Sequence, residues 1–258
     1  ALGAVAAGLA GDFLPWRSAF ISAGFAGFLL LLMRVKSMET TMFEHVKISS
    51  AEKGSFKLLF NSPKRIAKYL GCILMGIPIW YSVGILITLS PEIATLHHIE
   101  GLKLSTCFIL FQIGIASGDL SSGILSQYFK SRKKILIFYM SLAIVATILH
   151  FSKIFNAEDL AFTSFLMGLG CGYLSVFVTT TAEHFGTNLR VTVTATVTNF
   201  MRGAVTLLIP FHQWIEIQFN LSLTQGLIIT GIIVWTFALI PTLLLPETYG
   251  KNLEFIEE

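Results

Sequence analysis

Apolar stretches of membrane-spanning length recur from Arg17 to Leu245, and the Lys and Arg residues between them gather in every second connection. Loops of a chain threaded repeatedly through a bilayer show that alternation, because basic loops stay on the cytoplasmic side. The stretches run 16–34, 69–89, 104–126, 134–151, 160–182, 192–215 and 223–245. Each approaches the roughly 20 residues that a helix needs to cross about 30 Å of hydrocarbon. In lipid the backbone must satisfy its own hydrogen bonds, so the expected fold is all-α, a polytopic membrane helix bundle.

The charges also set an orientation. Of the eighteen Lys and Arg residues, only Arg17, Lys103 and Lys153 fall in the opposite loops, while Arg202 lies inside a span. The rest lie in the connection 34–68, in the cluster Lys130, Arg132, Lys133 and Lys134, at Arg190 and at Lys251. The long linker and the C-terminal tail are therefore expected in the cytoplasm, in a bacterial inner membrane or a plasma membrane. An odd number of full spans would put the chain's two ends on opposite faces. The apolar opening Ala1 to Leu14 reads as the end of an earlier span, and without a basic n-region it does not make a signal peptide. The chain is expected to be truncated at its start.

Composition agrees: 54% of residues are hydrophobic and 13% charged, about half the charged share of an average soluble domain. The net charge of +3 is a loop property and gives no case for nucleic acid, since no exposed aromatic face interleaves the basic residues. Cys72, Cys107 and Cys171 lie within or at the ends of apolar segments at spacings that match no metal-ligand pattern, which makes them packing thiols. No cofactor is expected. No nucleophile–base pair is visible, so the chain is not expected to be an enzyme.

Only one connection is long. Residues 35–65 end at Asn61, Ser62 and Pro63, a helix boundary, and separate what precedes from a compact unit of six spans. Ser50 to Asn61 reads equally as an amphipathic segment on the membrane surface or as a solvated linker. Gly114, Gly118 and Gly123 in one span and Gly168, Gly170 and Gly172 in another permit close helix contact.

Polar residues inside spans carry the functional signal, because they are costly in lipid. Thr192, Thr196, Asn199, Arg202, Thr206 and Gln213 follow steps of three, four and seven and form one helical face. Arg202 falls near mid-membrane, where an arginine costs about 2.5–3.5 kcal/mol on insertion scales, so this face must meet protein or water. Val197 and Leu208, on the other side, are expected to face lipid. Ser105, Gln112, Asp119, Ser122 and Ser126 form a second stripe. Asp119 is a candidate proton carrier, or else an ion-pair partner that fixes packing. Trp80 and Tyr81, just after Pro78, either stack on a solute or belong to the core. His150 and His212, near the far ends of their spans, read as interfacial residues rather than proton relays.

Three segments on the basic side carry a resemblance. Gly123 to Lys134 reads GILSQYFKSRKK, Glu183 to Arg190 reads EHFGTNLR, and Pro246 to Glu257 reads PETYGKNLEFIE. The last is similar to the Pro-Glu-Thr-x-Gly close of the sugar-porter-like branch of the major facilitator superfamily, and the second resembles that branch's Glu-(six residues)-Arg motif. The first resembles the superfamily's Gly-(three residues)-Asp loop motif in degenerate form, with Gln127 in the aspartate's place. Trp16 and Arg17 resemble the pair that opens the sixth span.

The resemblance implies that residues 1–35 hold the end of the fifth span and the sixth, 36–65 the linker, 66–245 the C-terminal six-helix bundle and 246–258 a cytoplasmic tail. It implies a partner in the N-terminal half of the same chain, with solute bound between the halves by alternating access. Arg132, Lys133, Lys134, Glu183, Arg190 and Glu247 would then form a cytoplasmic gate. The span 69–89 lacks the Gln-Gln pair of sugar porters, and Gly168 to Phe177 lacks their Gly-Pro-x-Pro-Trp run, so organic-ion and aromatic-acid carriers are the better comparison. The expected function is proton-coupled symport of a small organic solute through the bilayer, with Trp80, Tyr81, Gln112, Asn199 and Arg202 at the solute and Asp119 at the proton. Arg202 favours an anionic solute, since a guanidinium binds carboxylate bidentately. Drug or cation export, and a receptor or scaffold on the same fold, are the alternatives.

Overall fold

The computed structural model describes residues 14–34, 54–152, 156–251 and 254–257, with the isolated positions 3, 6 and 11. Most of the expected linker, 36–53, and Lys153 lie outside the described residues. The described elements are all helical. Helix α1 spans Trp16–Arg34, α2 Phe56–Phe60, and α3 Pro63–Tyr81, which runs on into a π-helical segment, Ser82–Ile87. Helix α4 is Ser90–Leu96, α5 Leu104–Tyr128, α6 Arg132–Ser152, α7 Ala157–Cys171, α8 Leu174–Glu183, α9 Thr187–Gly203, α10 Val205–Phe219 and α11 Leu223–Leu244.

Among the described residues six helical stretches are long and apolar enough to cross a membrane: 16–33, 63–87, 104–128, 132–152, 157–183 and 223–244. The expected span 192–215 is absent from that set. It is instead two helices, α9 and α10, meeting at Ala204. Gly203 weakens the helix at the junction, and Pro210 leaves the carbonyl four residues back without a donor. Threonines at every second position from 192 to 198, with Asn199 and Arg202, also dilute its apolar character.

Helix ends follow local chemistry. Ser222 caps α11 through a reciprocal pair, its hydroxyl accepting from Gln225 N at 3.4 Å while Gln225 Oε1 accepts from Ser222 N at 3.0 Å. Asn156 caps α7, accepting from Asp159 N at 2.8 Å, and Glu158 and Asp159 in the first turn complement the helix dipole. Pro63 opens α3, where its missing N–H costs nothing, and Pro78 sits inside the same helix just before the π-helical segment.

The bundle closes on backbone contacts between α5 and α7. A Cβ placed on Gly114 would come within 2.7 Å of Leu169 N, and one on Gly172 within 2.7 Å of Asp119 N. Gly170 makes the same kind of approach to Ala143 of α6. Gly123, grouped with them in sequence, faces only Ser175 Oγ at 4.0 Å. Around this seam sits a core that includes Phe111, Tyr173, Phe177 and Phe185, all fully buried. Cys72, Cys107 and Cys171 are buried free thiols within it.

Of the segment Ser50 to Asn61, residues 50–53 lie outside the described residues. From Gly54 on it docks on the bundle: Leu59 is fully buried, and Gly54 N donates to Asn188 O at 2.9 Å. Gly54 turns at φ +63, a conformation that an L side chain rarely adopts. Val197, expected toward lipid, is fully buried in the core, and Leu208 packs against it. The Thr-rich helix buries the face on which Val193, Val197 and Met201 recur at steps of four.

Candidate functional site

The polar face of α9 and α10 is divided by its neighbours. Near the basic end Thr196 turns toward α3, where its hydroxyl accepts from Tyr69 OH at 2.9 Å. Further along, Asn199, Arg202, Thr206 and Gln213 are exposed, together with Phe200 and Leu207. The Arg202 guanidinium carbon stands 4.9 Å from the centre of the Trp80 ring, a cation–π contact between α9 and α3. Trp80 is half-buried, and its indole N–H has no hydrogen-bond partner among the described residues. Asn199 lies nearly one turn before Arg202, with its amide donating to Ala195 O at 2.9 Å.

Tyr81 parts from its neighbour. It is fully buried, and its hydroxyl donates to Leu227 O of α11 at 2.6 Å, so it joins the α3–α11 contact while Trp80 joins the exposed face. Gln112 is half-buried on α5.

Asp119 meets a helix end rather than Arg202. The chain breaks helix at Gly172 and Tyr173, and the new start at α8 leaves backbone N–H groups without intrahelical acceptors. Asp119 Oδ1 accepts one of them, Ser175 N, at 3.0 Å, and the Ser175 hydroxyl donates to Asp119 O at 3.2 Å. The carboxylate is thus an N-terminal cap supplied across the glycine seam. No carboxylate pairs with Arg202 among the described residues.

The charged residues of the basic end form a second constellation. Glu247, just past α11, accepts from Arg132 N at 2.9 Å, Lys133 N at 3.2 Å and the Ser131 hydroxyl, all at the start of α6. It also accepts from Thr248 N at 2.9 Å and Tyr249 N at 3.0 Å. One carboxylate therefore caps a helix and closes a turn of the tail. Burial pushes the Glu247 carboxyl up, and the bonds from the Ser131 hydroxyl and the N–H groups of Tyr249, Arg132 and Thr248 outweigh it, holding it at about 2.

Glu183, at the end of α8, pairs with Arg132 at 3.3 Å and accepts from the Thr248 hydroxyl at 2.6 Å. Arg132 also donates to Ser126 Oγ at 2.8 Å and lies 5.2 Å from the Tyr249 ring centre. Arg190 ties α9 to α8 by donating to Ala182 O at 3.1 Å. Lys133 donates to the carbonyls of Leu243 and Leu245, the open C-terminal end of α11. Lys134 is exposed and joins through its backbone alone among the described residues, its N–H donating to Ser131 Oγ. Gln127 accepts weakly, at 3.5 Å, from Tyr249 OH.

Sequence reasoning missed Ser131, His184 and Thr248 here, and set Ser126 in the second polar stripe rather than beside Arg132. Ser131 carried a signal, a serine three residues before the N–H that it caps at Lys134, 3.2 Å away. His184 is buried with Nε2 unpartnered among the described residues, and burial, followed by the charges of Lys251 and Lys68, pushes its imidazole down to about 4.

Because the Glu247 carboxyl falls below its ordinary range on folding, its contribution is complete above about pH 4.5 and is lost as pH falls toward 2. Thermal unfolding of the purified protein should therefore lose stability across that window, and Glu247→Gln should flatten the curve there. Parallel curves for the two proteins would remove Glu247 from the acid response.

Long apolar helices locked through glycine backbones, with a polar face and a charged cluster at one end, define an integral multi-pass membrane protein. A family model described as the Major Facilitator Superfamily matches residues 1–210. The chain belongs to that superfamily and is a membrane transporter. Comparison with curated proteins and with solved structures gives no match.

Proposed function

We propose that this transporter carries a small organic anion by proton-coupled symport, with the exposed face of α9 and α10 lining the path. The observation that carries the reading is Arg202. It is a guanidinium in the middle of an apolar unit, stacked on Trp80, exposed, and without a carboxylate partner among the described residues. A cation there is favourable only if water or an anionic group meets it, and its planar fork matches a carboxylate. Asn199 and Gln112 add hydrogen-bonding groups, and Trp80 an aromatic surface.

In this reading residues 66–245 are the C-terminal six-helix half, the exposed face of α9 meets the N-terminal half, and the tail and linker are cytoplasmic. The Pro-Glu-Thr-x-Gly sequence at Pro246, which lies beyond the residues that the family model matches, supports the sugar-porter-like branch. Asp119 carries the coupling proton near the basic end. Protonation would replace the charged acceptor of Ser175 N by a weaker neutral one and loosen α8 from α5, linking proton uptake to helix movement. Arg132, Glu183, Arg190 and Glu247 hold the basic end closed in one state and part in the other.

The test is uptake of small aliphatic and aromatic carboxylates by the intact transporter in proteoliposomes, with and without a pH gradient. Arg202→Lys should weaken uptake about tenfold or more despite the retained charge, because bidentate geometry is lost. Asp119→Asn should abolish gradient-driven accumulation while exchange survives. Equal uptake of amines and carboxylates by the wild type would overturn the anionic assignment.

A further inference from the structure

Helices α6 and α11 are joined at the basic end of the bundle and leave a gap toward the other. At the basic end Lys133 donates to the carbonyls of Leu243 and Leu245, and the Thr242 hydroxyl meets Met140 Sδ at 3.5 Å. Further along, between residues 144–152 of α6 and 228–239 of α11, lies a cavity of about 470 Å³ with Tyr81 of α3 in its wall. Gly231 lets that ring lie against α11, since an added Cβ there would come 2.8 Å from the Tyr81 hydroxyl.

The wall resembles hydrocarbon. Ile144, Ile148, Ile232 and Leu239 supply aliphatic groups, Phe151 and Trp235 supply rings, and no charged side chain lines the space among the described residues. Two of its hydroxyls are already engaged, Tyr81 donating to Leu227 O at 2.6 Å and Thr147 to Ala143 O at 2.8 Å. Water in a cavity needs about two to four polar partners, so this wall does not hold it well. An empty space would forfeit the dispersion contacts of the atoms around it. The opening decides what can enter. Ile148 and Ile232, 59% and 62% exposed, form its rim, and Val145, Ile229 and Phe237 beside them are exposed and apolar. Such a face of a membrane bundle meets hydrocarbon, unlike the exposed face of α9 that carries Asn199 and Arg202.

We propose that this cavity is a lipid-binding site, which holds one acyl chain of a phospholipid from the leaflet opposite the basic loops. Its length fits that occupant. At the helical rise, residues 144–152 cover about 12 Å and 228–239 about 16 Å, close to half of the roughly 30 Å hydrocarbon core. Ser152 stands at the end of α6, where the chain would join its headgroup. The chain packs along Phe151 and Trp235 and against Tyr81, whose neighbour Trp80 stacks on Arg202. Lipid thus supports the contact of α3 with α11 on the side away from the polar face. The site is independent of the solute carried.

The experiment places the intact transporter in phosphatidylcholine nanodiscs that contain a small fraction of phosphatidylcholine with a diazirine midway along one acyl chain. After illumination, labelled peptides are mapped by mass spectrometry. Label should concentrate in 144–152 and 228–239 and exceed that at Phe138, Ile240 and Leu243, which are exposed on the same helices but lie outside the cavity. Ile148→Trp, which fills the rim, should lower the excess about tenfold, as expected when two or more methylenes of the chain are shut out. Thr236→Phe fills the space from α11 and carries the comparison if Ile148→Trp does not fold. Val145→Trp, on the exposed face beside the cavity, should leave the label unchanged. Label spread evenly along α6 and α11, or equal in the wild type and both filled variants, overturns the proposal. A photoreactive sterol that labels these segments where the phospholipid does not would overturn the acyl-chain assignment.

Discussion

Gly118→Val is expected to cost the protein its fold. A Cβ at Gly118 would lie 2.7 Å from Gly172 Cα and closer still to Leu169 O, and both are backbone, so no side-chain rotation relieves the clash. Ordinary overpacking costs about 1–3 kcal/mol because side chains absorb part of the strain. Here α5 and α7 must move apart along a seam that Gly114 and Gly168 also form, and the Asp119 cap on α8 separates with them. The expected loss exceeds about 3 kcal/mol against a typical total of about 5–15 kcal/mol. Yield of monodisperse protein and its thermal midpoint are the readouts. Gly123→Ala and Gly203→Ala serve as controls, since the first meets only Ser175 Oγ at 4.0 Å and the second nothing within 4 Å. A normal midpoint for Gly118→Val would show that the helices yield without cost.

Arg132→Ala should be the most damaging single change at the basic end. It leaves Glu183, 8% exposed, without the cation 3.3 Å away, and leaves Ser126 Oγ without its donor. Removing one partner of a buried pair costs about 3–5 kcal/mol, much of it the penalty on the charge left behind. Glu183→Gln should cost less, because an amide still accepts from the Thr248 hydroxyl. The double variant Arg132→Ala with Glu183→Gln should then be milder than the sum of its parts by about 0.5–3 kcal/mol, the signature of a direct pair. Strict additivity in thermal unfolding would reduce the pair to a contact without energetic coupling. Spin-label distances across the basic end extend the test to function. Glu183→Gln should favour the form open on that side by about 5–150-fold if the network acts as a gate.

Much of the bundle was legible because lipid leaves a chain few options. Apolar length and loop charge locate α3, α5, α6, α7 with α8, and α11 to within a few residues, except that α3 begins six residues before the predicted start. The α9–α10 region was harder. Its threonines and Arg202 marked a polar face, yet periodicity could not say that Thr196 would be used by Tyr69 while Asn199 and Arg202 stayed exposed. Val197 was misread because a β-branched residue opposite a polar stripe suits lipid and core equally. Trp80 and Tyr81 are adjacent in sequence, and only the position of α11 separates their environments.

The sequence by itself determined that this chain is a polytopic helix bundle, which end carries the basic loops, and which spans hold costly polar groups. Those properties follow from the energetics of single segments in a bilayer. Tertiary structure decided what each polar group meets. Asp119 caps α8 because Gly118 and Gly172 bring two backbones together, and Glu247 caps α6 because the tail folds back beneath it. His212 changes from an interfacial residue to half of a buried pair because Gly226 of α11 leaves room for it and Glu216. Such pairings depend on contacts between residues far apart in the chain, which helical periodicity does not encode.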